Sequence, residues 1–112
     1  MMITVHVWPG IPHIKIEGHA LNAEPGKDLV CCAASTIAYT LANYLEKTIG
    51  SDRMECDGAE GGSAFMEIKA HPGMGSVVEC LSAFNMAICG FEMLTKTFPE
   101  NVQIMRESED DE

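Results

Sequence analysis

Basic side chains are scarce in this 112-residue chain, where seven Lys and Arg stand against 17 Asp and Glu for a formal net charge of −10. This balance opposes binding to phosphate backbones, so we expect no direct contact with nucleic acid and a preference for a basic partner. The chain also lacks an apolar run near the roughly 20 residues that span a bilayer, which predicts no membrane segment. It has no internal repeat, and its length fits one domain.

Signals for export, metal binding and nucleotide binding are missing as well. Residues 1–8 contain no basic n-region and alternate in polarity, so we expect a cytoplasmic protein. The five cysteines are an odd number and argue for reduced thiols. Adjacent Cys31 and Cys32 fit neither the Cys-x-x-Cys redox spacing nor common zinc spacing, and the glycines at 58–62 lack the Lys and Ser or Thr of a phosphate-binding loop. The sequence therefore predicts neither a metal nor a cofactor.

Polarity patterns indicate the fold. Period-two alternation predicts a hairpin from strands over 3–7 and 12–17, and a second hairpin from strands over 53–57 and 63–70. Helical periodicity predicts one helix after an Asp28 N-cap, ending at Gly50, and another opened by a capping box of Ser76 and Glu79. A strand over 102–105 follows. The predicted fold is α+β, a two-layer sandwich of two helices on a small mixed or antiparallel sheet in the order ββαββαβ, with a domain over 1–106 and an acidic disordered tail over 107–112.

Spacing along the helices predicts which side chains form the core. The apolar stripe of the first helix is expected to be Leu29, Ala33, Ile37, Leu41 and Tyr44, and that of the second Val77, Leu81, Phe84, Ile88 and Phe91. Ala34, Ala38 and Ala42 form a row of small side chains that would let the first helix approach its neighbour closely, or that simply favour helix formation. Gly90 inside the second helix indicates close helix packing, and Cys56, Cys80 and Cys89 are expected to be buried.

His19 and Cys31 are the candidate catalytic residues. His19 follows a strand, where a scaffold can hold a functional side chain that stays accessible. Cys31 falls in the first turn of a helix, where unpaired backbone N–H groups and the helix dipole favour the thiolate. The turn formers between them allow the imidazole to fold back toward the thiol. A Cys-His pair that meets in this way supplies a nucleophile and a base.

The segment from residue 18 to 35 resembles the ribosomal-processing cysteine proteases, which trim the N-terminal extension of bacterial ribosomal protein L27. The matching motif is Gly18-His19-Ala20, then Gly26, then Asp28-Leu29-Val30-Cys31-Cys32-Ala33-Ala34-Ser35, with Leu29 and Cys32 departing from the family pattern. The resemblance implies a cysteine endopeptidase with a His19–Cys31 dyad, a homodimer, and an apolar, aromatic-containing cleavage motif in the L27 extension. Site-supporting or substrate-binding roles would then fall to Gly18, Ala20, Gly26, Asp28, Cys32 and Ser35.

Within such a site the individual roles differ. His19 would hold the thiol proton and return it to the leaving amine, while N–H groups at the helix start, such as those of Cys31 and Cys32, stabilise the oxyanion. Asp28 is expected to cap the helix and not to orient His19. Ser35, one turn beyond Cys31, can line the site, and Cys32 is expected to pack, with a resolving thiol as its alternative. Residues 20–27 would form a mobile loop that orders over bound peptide.

Two other classes of protein fit part of the sequence. One is a non-enzymatic acidic dimer that binds a basic ribosomal or assembly protein, with Cys31 only structural. Turnover of a substrate separates it from a protease. The other is a metal or redox centre built on Cys31, Cys32 and His19, which metal content after purification would reveal.

Overall fold

The structure, a computed structural model, describes residues 3–18, 29–58 and 64–108. The elements follow the predicted order ββαββαβ: β1 (Ile3–Val7), β2 (His13–Gly18), α1 (Leu29–Thr48), β3 (Met54–Gly58), β4 (Ala64–Ala70), α2 (Val77–Thr97) and β5 (Val102–Arg106). Single 3-10 turns at Ser51–Arg53 and Met74–Ser76 precede β3 and α2. The α+β sandwich predicted from the sequence is confirmed.

The five strands form one mixed sheet in the order β3-β4-β2-β1-β5. Both predicted hairpins are antiparallel, β4 pairs antiparallel with β2, and β5 lies parallel to β1. The first hairpin turns at Pro9 and Gly10, where the Ile11 N–H donates to the Trp8 carbonyl at 3.0 Å and Gly10 adopts φ 80°. Proline followed by a positive-φ glycine fits a type II turn. The central strand β2 ends at Gly18, the residue that directly precedes His19 in the sequence.

Both helices contribute to one core on one face of the sheet. Alternate residues of β1 and β2 are buried there, and Phe84 and Phe91 of α2 are almost fully enclosed with them. The helix α1 contacts β3 and β4, whereas α2 contacts β5. The opposite face of the sheet has no helix from the described part of the chain against it, so its polar side chains face solvent.

The helix α1 meets the core through small side chains. Ala34, Ala38 and Ala42 are buried at 2%, 0% and 9% exposure, so the predicted row of alanines lies in the core. The apolar stripe predicted for α1 is wrong, because a different face of the helix points into the core. Ala33 and Ile37 are only half-buried, and Tyr44 is exposed. The buried residues of α1 are instead Val30, Ala34, Ala38, Leu41, Ala42 and Leu45. Alanines pack where the backbone comes closest, which moves the larger side chains to the flank of the helix.

Three predictions about α2 and the cysteines need correction. Ser76 precedes α2 but makes no side-chain capping hydrogen bond, because it also closes a 3-10 turn, so the capping box does not form. The buried residues of α2 are Cys80, Phe84, Ala87 and Phe91, a set that shares only the two phenylalanines with the predicted stripe. Cys80 is buried as expected, whereas Cys56 and Cys89 are exposed.

The end of α1 follows its sequence signal. Gly50 adopts φ 92°, and the N–H groups of Ile49 and Gly50 both donate to the Leu45 carbonyl. A left-handed residue that closes the last turn in this way is the usual role of glycine at a helix end.

The stretch Met74–Thr97, which includes α2, is long and apolar enough to cross a membrane by length and composition, with a mean hydropathy of 1.5. The sequence-based expectation that no such run exists is therefore wrong. A helix that packs into a protein core passes the same test, and α2 does bury one face against the sheet.

Candidate active site

The backbone of Cys31 lies in the first turn of α1. The helix begins at Leu29, which makes Cys31 its third residue, as the sequence predicted. Two flanking side chains on the same helix are buried in the core, Val30 at 8% and Ala34 at 2% exposure. Because Val30 precedes Cys31 and Ala34 follows it by nearly one turn, the core fixes the backbone of the candidate nucleophile from both sides.

The start of α1 has the electrostatics that a reactive thiol needs. The N–H groups of Leu29, Val30 and Cys31, the first three residues of α1, have no acceptor inside the helix. The first turn contains no acidic side chain, and the whole helix aligns the peptide dipoles of 20 residues. Partial positive charge at this end therefore favours a thiolate or an oxyanion.

Several predicted site residues lie outside the described residues. These are His19, Ala20, Gly26 and Asp28, and the predicted loop over 20–27 lies there with them. Gly18 is described as the last residue of β2, in register with Ala64 of β4. On α1, Ser35 is half-buried one turn beyond Cys31, while Cys32 is exposed and does not pack into the core as expected.

Two of the other thiols are poor candidates for a nucleophile. Burial raises the pKa of the Cys80 thiol above its ordinary value. Partial desolvation raises the pKa of Cys56 too, and the charge of neighbouring Asp57 adds to this effect. Both changes favour the neutral thiol, which is the weak nucleophile. Cys56 lies on a strand, and Cys80 lies in the first turn of α2 but is buried there, next to the acidic Glu79 in sequence.

A charged network crosses the open face of the sheet beside the end of β2. The Glu17 carboxylate is within 2.9 Å of His6 Nε2 through Oε2, and within 3.3 Å of Lys15 Nζ through Oε1. The other His6 nitrogen, Nδ1, lies 2.6 Å from Glu107 Oε2. These contacts lower the pKa of Glu17, with the His6 hydrogen bond as the largest cause and Lys15 as the next.

Glu107 is the first residue of the segment that the sequence assigns to the acidic tail. Its N–H donates to the Val7 carbonyl at 2.8 Å, which continues the pairing of β1 and β5 by one residue. Sequence reasoning did not identify the contacts of His6 and Glu107. The signal for the His6–Glu17 pair was present, because His6 and Glu17 occupy polar positions of the two alternating strands in the first hairpin.

A second histidine on the same face is held separately. The His13 ring stacks on Trp8 with centroids 3.7 Å apart and planes 8° from parallel, and its Nε2 lies 2.6 Å from Glu67 Oε2. His13 begins β2, so it stands at the opposite end of that strand from Gly18. The His13 ring has one carboxylate partner, Glu67, whereas the His6 ring has two, Glu17 and Glu107.

The outer side of the two-helix layer carries an apolar groove of about 640 Å³ between α1 and α2. Ile37, Tyr44, Val78, Met86 and Gly90 are among the residues that line it. Tyr44, Val78 and Met86 are exposed. Sequence periodicity assigned Tyr44 and Val77 to the core and gave no indication of this groove.

Within residues 3–18, 29–58 and 64–108, no group of three or more His, Cys, Asp or Glu side chains is arranged to hold a metal ion. The acidic residues of the open sheet face instead pair with histidine or lysine, as in His6–Glu17 and Lys15–Glu17.

Solved structures share this architecture. An essential ribosomal processing protease, Prp from S. aureus in complex with a covalently linked product peptide, superimposes with a TM-score of 0.76 at 22% identity, covering 95% of this chain and all of that one. SMU.848 from Streptococcus mutans matches with a TM-score of 0.74 at 26% identity over 96% of both chains. The S. aureus protease with a substrate peptide matches with a TM-score of 0.72 at 16% identity, over 95% of this chain and 98% of that one.

No sequence among the curated proteins matches the chain. The model of the family described as cysteine protease Prp matches residues 2–103, nearly the whole length. The chain therefore belongs to the Prp family of cysteine proteases. The fold class, the family and the class of enzyme that the sequence predicted are thus confirmed.

Proposed function

We propose that this protein is a cytoplasmic endopeptidase that removes the N-terminal extension of ribosomal protein L27 with Cys31 as nucleophile and His19 as base. The observation that carries the assignment is the position of Cys31 as third residue of α1, among N–H groups that lack acceptors within the helix. The family match supports protease chemistry over a non-enzymatic binding module. The net charge of −10 suits a basic ribosomal substrate.

In the proposed reaction, His19 takes the proton of the Cys31 thiol, and the thiolate sulfur attacks the scissile carbonyl carbon. Backbone N–H groups in the first turn of α1 donate to the oxyanion that forms. The tetrahedral intermediate collapses, the C–N bond breaks, and His19 protonates the leaving amine. Water, deprotonated by His19, then attacks the thioester, and cleavage of the C–S bond releases the acid and regenerates Cys31.

The S. aureus relatives supply a parallel for the substrate class. One was solved with a covalently linked product peptide and another with a substrate peptide, and both are named as ribosomal processing proteases. A covalent product is the species expected when a thiol attacks a peptide carbonyl. These structures support a peptide substrate and a covalent intermediate for the present chain.

The test uses full-length L27 that carries its native N-terminal extension, with cleavage followed by mass spectrometry. The wild-type protein should cleave at a single position, Cys31→Ala should abolish cleavage, and Cys32→Ala should retain most of it. The neighbouring cysteine is a matched control, because both substitutions place alanine, a strong helix former, in the same turn. Loss of activity in Cys32→Ala with retention in Cys31→Ala would contradict the choice of nucleophile. Absence of cleavage by wild-type protein would contradict the function.

We also propose that the protein is a homodimer that uses the outer side of the two helices. Tyr44, Val78, Met86 and Met93 are 47–78% exposed on this side. At roughly 150–200 Å² for a large side chain, their exposed area is about 400–550 Å². A standard interface buries about 800 Å² per partner. About 65% of this area is apolar in homodimers, which corresponds to about 500 Å² of apolar surface per partner. The exposed apolar area is therefore sufficient for a self-complementary interface.

Sedimentation analysis of two matched variants tests this interface. Met86→Glu introduces a charge on the outer side and should convert the dimer to a monomer at micromolar concentration. Tyr39→Glu, on α1 but outside the groove lining, should leave the dimer intact, although Tyr39 is 55% exposed. A monomeric wild-type protein, or equal dissociation in both variants, would refute the proposed interface.

A further inference from the structure

We propose that the free edge of β3 binds an extended segment of the protein substrate in which basic residues alternate with apolar ones. The segment adds one strand to the five-stranded sheet, a known mode of peptide binding. The proposal rests on the proposed function, because it takes the ligand to be part of a basic ribosomal protein. The main chain and the charges of this edge define the sequence pattern that it accepts.

The main chain of β3 presents hydrogen-bonding groups on its outer side. β3 stands at one end of the strand order, and β4 is its paired strand in the described part of the chain. The His71 N–H donates to the Arg53 carbonyl at 2.7 Å. Hydrogen-bonded pairs alternate along an antiparallel ladder, so Glu55 and Asp57 direct their N–H and C=O groups toward β4. The N–H and C=O of Cys56, between them, therefore point to the free edge.

The two faces of this edge differ in chemistry. Cys56 is in register with the fully buried Ile68, so it stands on the side of the sheet that the helices cover. Glu55 and Asp57 stand on the open face, and both are exposed. On an added strand, the residue opposite Cys56 lies on the helix side, and its two neighbours lie beside Glu55 and Asp57. The edge therefore fits an apolar residue flanked by two basic ones.

Both carboxylates can accept from a ligand. The Glu55 side chain is 59% exposed and contacts His71 Nε2 at 2.6 Å through Oε2, which leaves Oε1 on the solvent side. Asp57 makes no side-chain hydrogen bond or ion pair with any residue in the ranges that the structure describes. Because side chains on one face of a strand repeat every second residue, these two carboxylates complement basic side chains at the same spacing.

Charge argues against a second copy of this chain at the same edge. An antiparallel copy in full overlap, centred on Cys56, would set Glu55 opposite Asp57 of the partner subunit and Asp57 opposite Glu55 of the partner subunit. Like charges directly opposite each other are destabilising, and the net charge of −10 adds general repulsion between copies. The same two carboxylates attract a basic strand. The edge therefore discriminates between these two occupants.

The edge also lies on the side of the sheet that carries the candidate nucleophile. α1 contacts β3 and β4, and the short connection over 49–53 joins its end to the start of β3. The two elements therefore run in opposite directions, which places the first turn of α1, with Cys31, toward the end of β3. Register through β4 aligns Gly58 of β3 with Ile16 of β2, two residues before Gly18. A strand bound along β3 thus leads toward the start of α1.

The binding test uses a short fluorescent peptide of alternating Lys and Val, and a peptide of the same composition in two blocks as its control. Fluorescence anisotropy at low salt should show tighter binding of the alternating peptide. Glu55→Gln/Asp57→Asn should weaken this binding about fivefold relative to Glu92→Gln/Glu100→Gln, which removes two charges beside β5 at the opposite edge. Equal affinity for the two peptides, or equal weakening in the two variants, would overturn the proposal.

Pairing through the main chain is tested separately. Every second N–H of a strand faces its neighbour, so N-methylation of all Lys or of all Val should abolish binding of one peptide and preserve that of the other. In the protein, Cys56→Pro removes the N–H at the free edge, a position where proline is tolerated, and should weaken binding about tenfold compared with Cys56→Ala. Binding by both methylated peptides, or by neither, would contradict strand addition.

Cleavage of extended L27 connects this edge to the substrate. Glu55→Gln/Asp57→Asn should raise KM about fivefold with kcat within about twofold of wild type, because the contact lies away from the scissile bond and is made in the ground state as well. Glu92→Gln/Glu100→Gln should keep both constants. An unchanged KM in the first variant would overturn the assignment of the edge to the substrate. If wild type binds the alternating peptide but cleaves no L27, the proposed function fails and binding at the β3 edge stands.

Discussion

Alanine at position 90 should test how closely α1 and α2 approach each other. A Cβ built on Gly90 would lie 3.1 Å from Ile37 Cδ1 and 3.5 Å from each of the two Ile37 γ carbons. Alanine in a helix interior is favoured over glycine by about 1 kcal/mol, but the 3.1 Å contact is inside van der Waals distance and overpacking costs energy. In the wild-type background these effects oppose each other, so we expect Gly90→Ala to change the free energy of unfolding by less than about 0.5 kcal/mol.

Ile37→Val removes only the atom responsible for the close contact. The nearest remaining atoms are at ordinary packing distance, so in this background Gly90→Ala should stabilise the protein by about 1 kcal/mol. The coupling between the two sites should be about 0.5–1.5 kcal/mol, measured by urea unfolding of the wild type, both single variants and the double variant. Each kcal/mol should raise Tm by about 4 °C in a chain of this size. A Gly90→Ala effect that is equal in both backgrounds would refute the close approach.

Two further predictions concern Cys31 and Glu17. Limited iodoacetamide labelling at neutral pH should modify Cys31 fastest and buried Cys80 slowest, as mapped by mass spectrometry, and uniform labelling would count against an activated thiol. The hydrogen bond from His6 lowers the pKa of Glu17 below 4.5, so the stability that it contributes is present above that pH and is lost as pH falls through the lowered value. The difference in free energy of unfolding between wild type and Glu17→Gln should therefore shrink below about pH 4.5. Urea unfolding at a series of pH values measures this difference, and a difference that does not change with pH would contradict the prediction.

The order of the elements was predictable because local signals specify it. Alternating polarity marked both hairpins, and the proline-glycine turn at 9–10 and the glycine at position 50 fall where the backbone takes positive φ. These signals depend only on neighbours in sequence. The third helical position of Cys31 follows from the same kind of signal, the start of a helix.

The rotation of α1 was not predictable, because apolar residues cover more than half of its circumference. Two overlapping sets, one with Ile37 and Tyr44 and one with Ala34 and Ala38, both repeat at helical spacing. Hydrophobicity favours the larger set for the core, but the sheet accepts the alanines because they allow a closer approach. The larger side chains then face α2 and the groove. Only the packing of the whole layer decides between the two sets.

Burial of single cysteines depends in the same way on long-range arrangement. Cys56 is in register with Ile68, which is fully buried, yet Cys56 is exposed. The reason is that β3 is an edge strand of the sheet, with β4 as its neighbour there. Alternation in the sequence can place a residue on the core-facing side of a strand, but it does not tell which strand lies at the edge.

The alanine row connects the core to the candidate nucleophile. Ala34 and Ala38 pack in the core at 2% and 0% exposure, and Val30 packs one residue before Cys31. A larger side chain at either alanine would have to push the start of α1 away from the sheet, and the N–H groups that surround Cys31 would move with it. Under the proposed mechanism, small residues in this part of the helix would serve catalysis as well as stability, since how closely the helix lies on the sheet would set the position of the oxyanion donors.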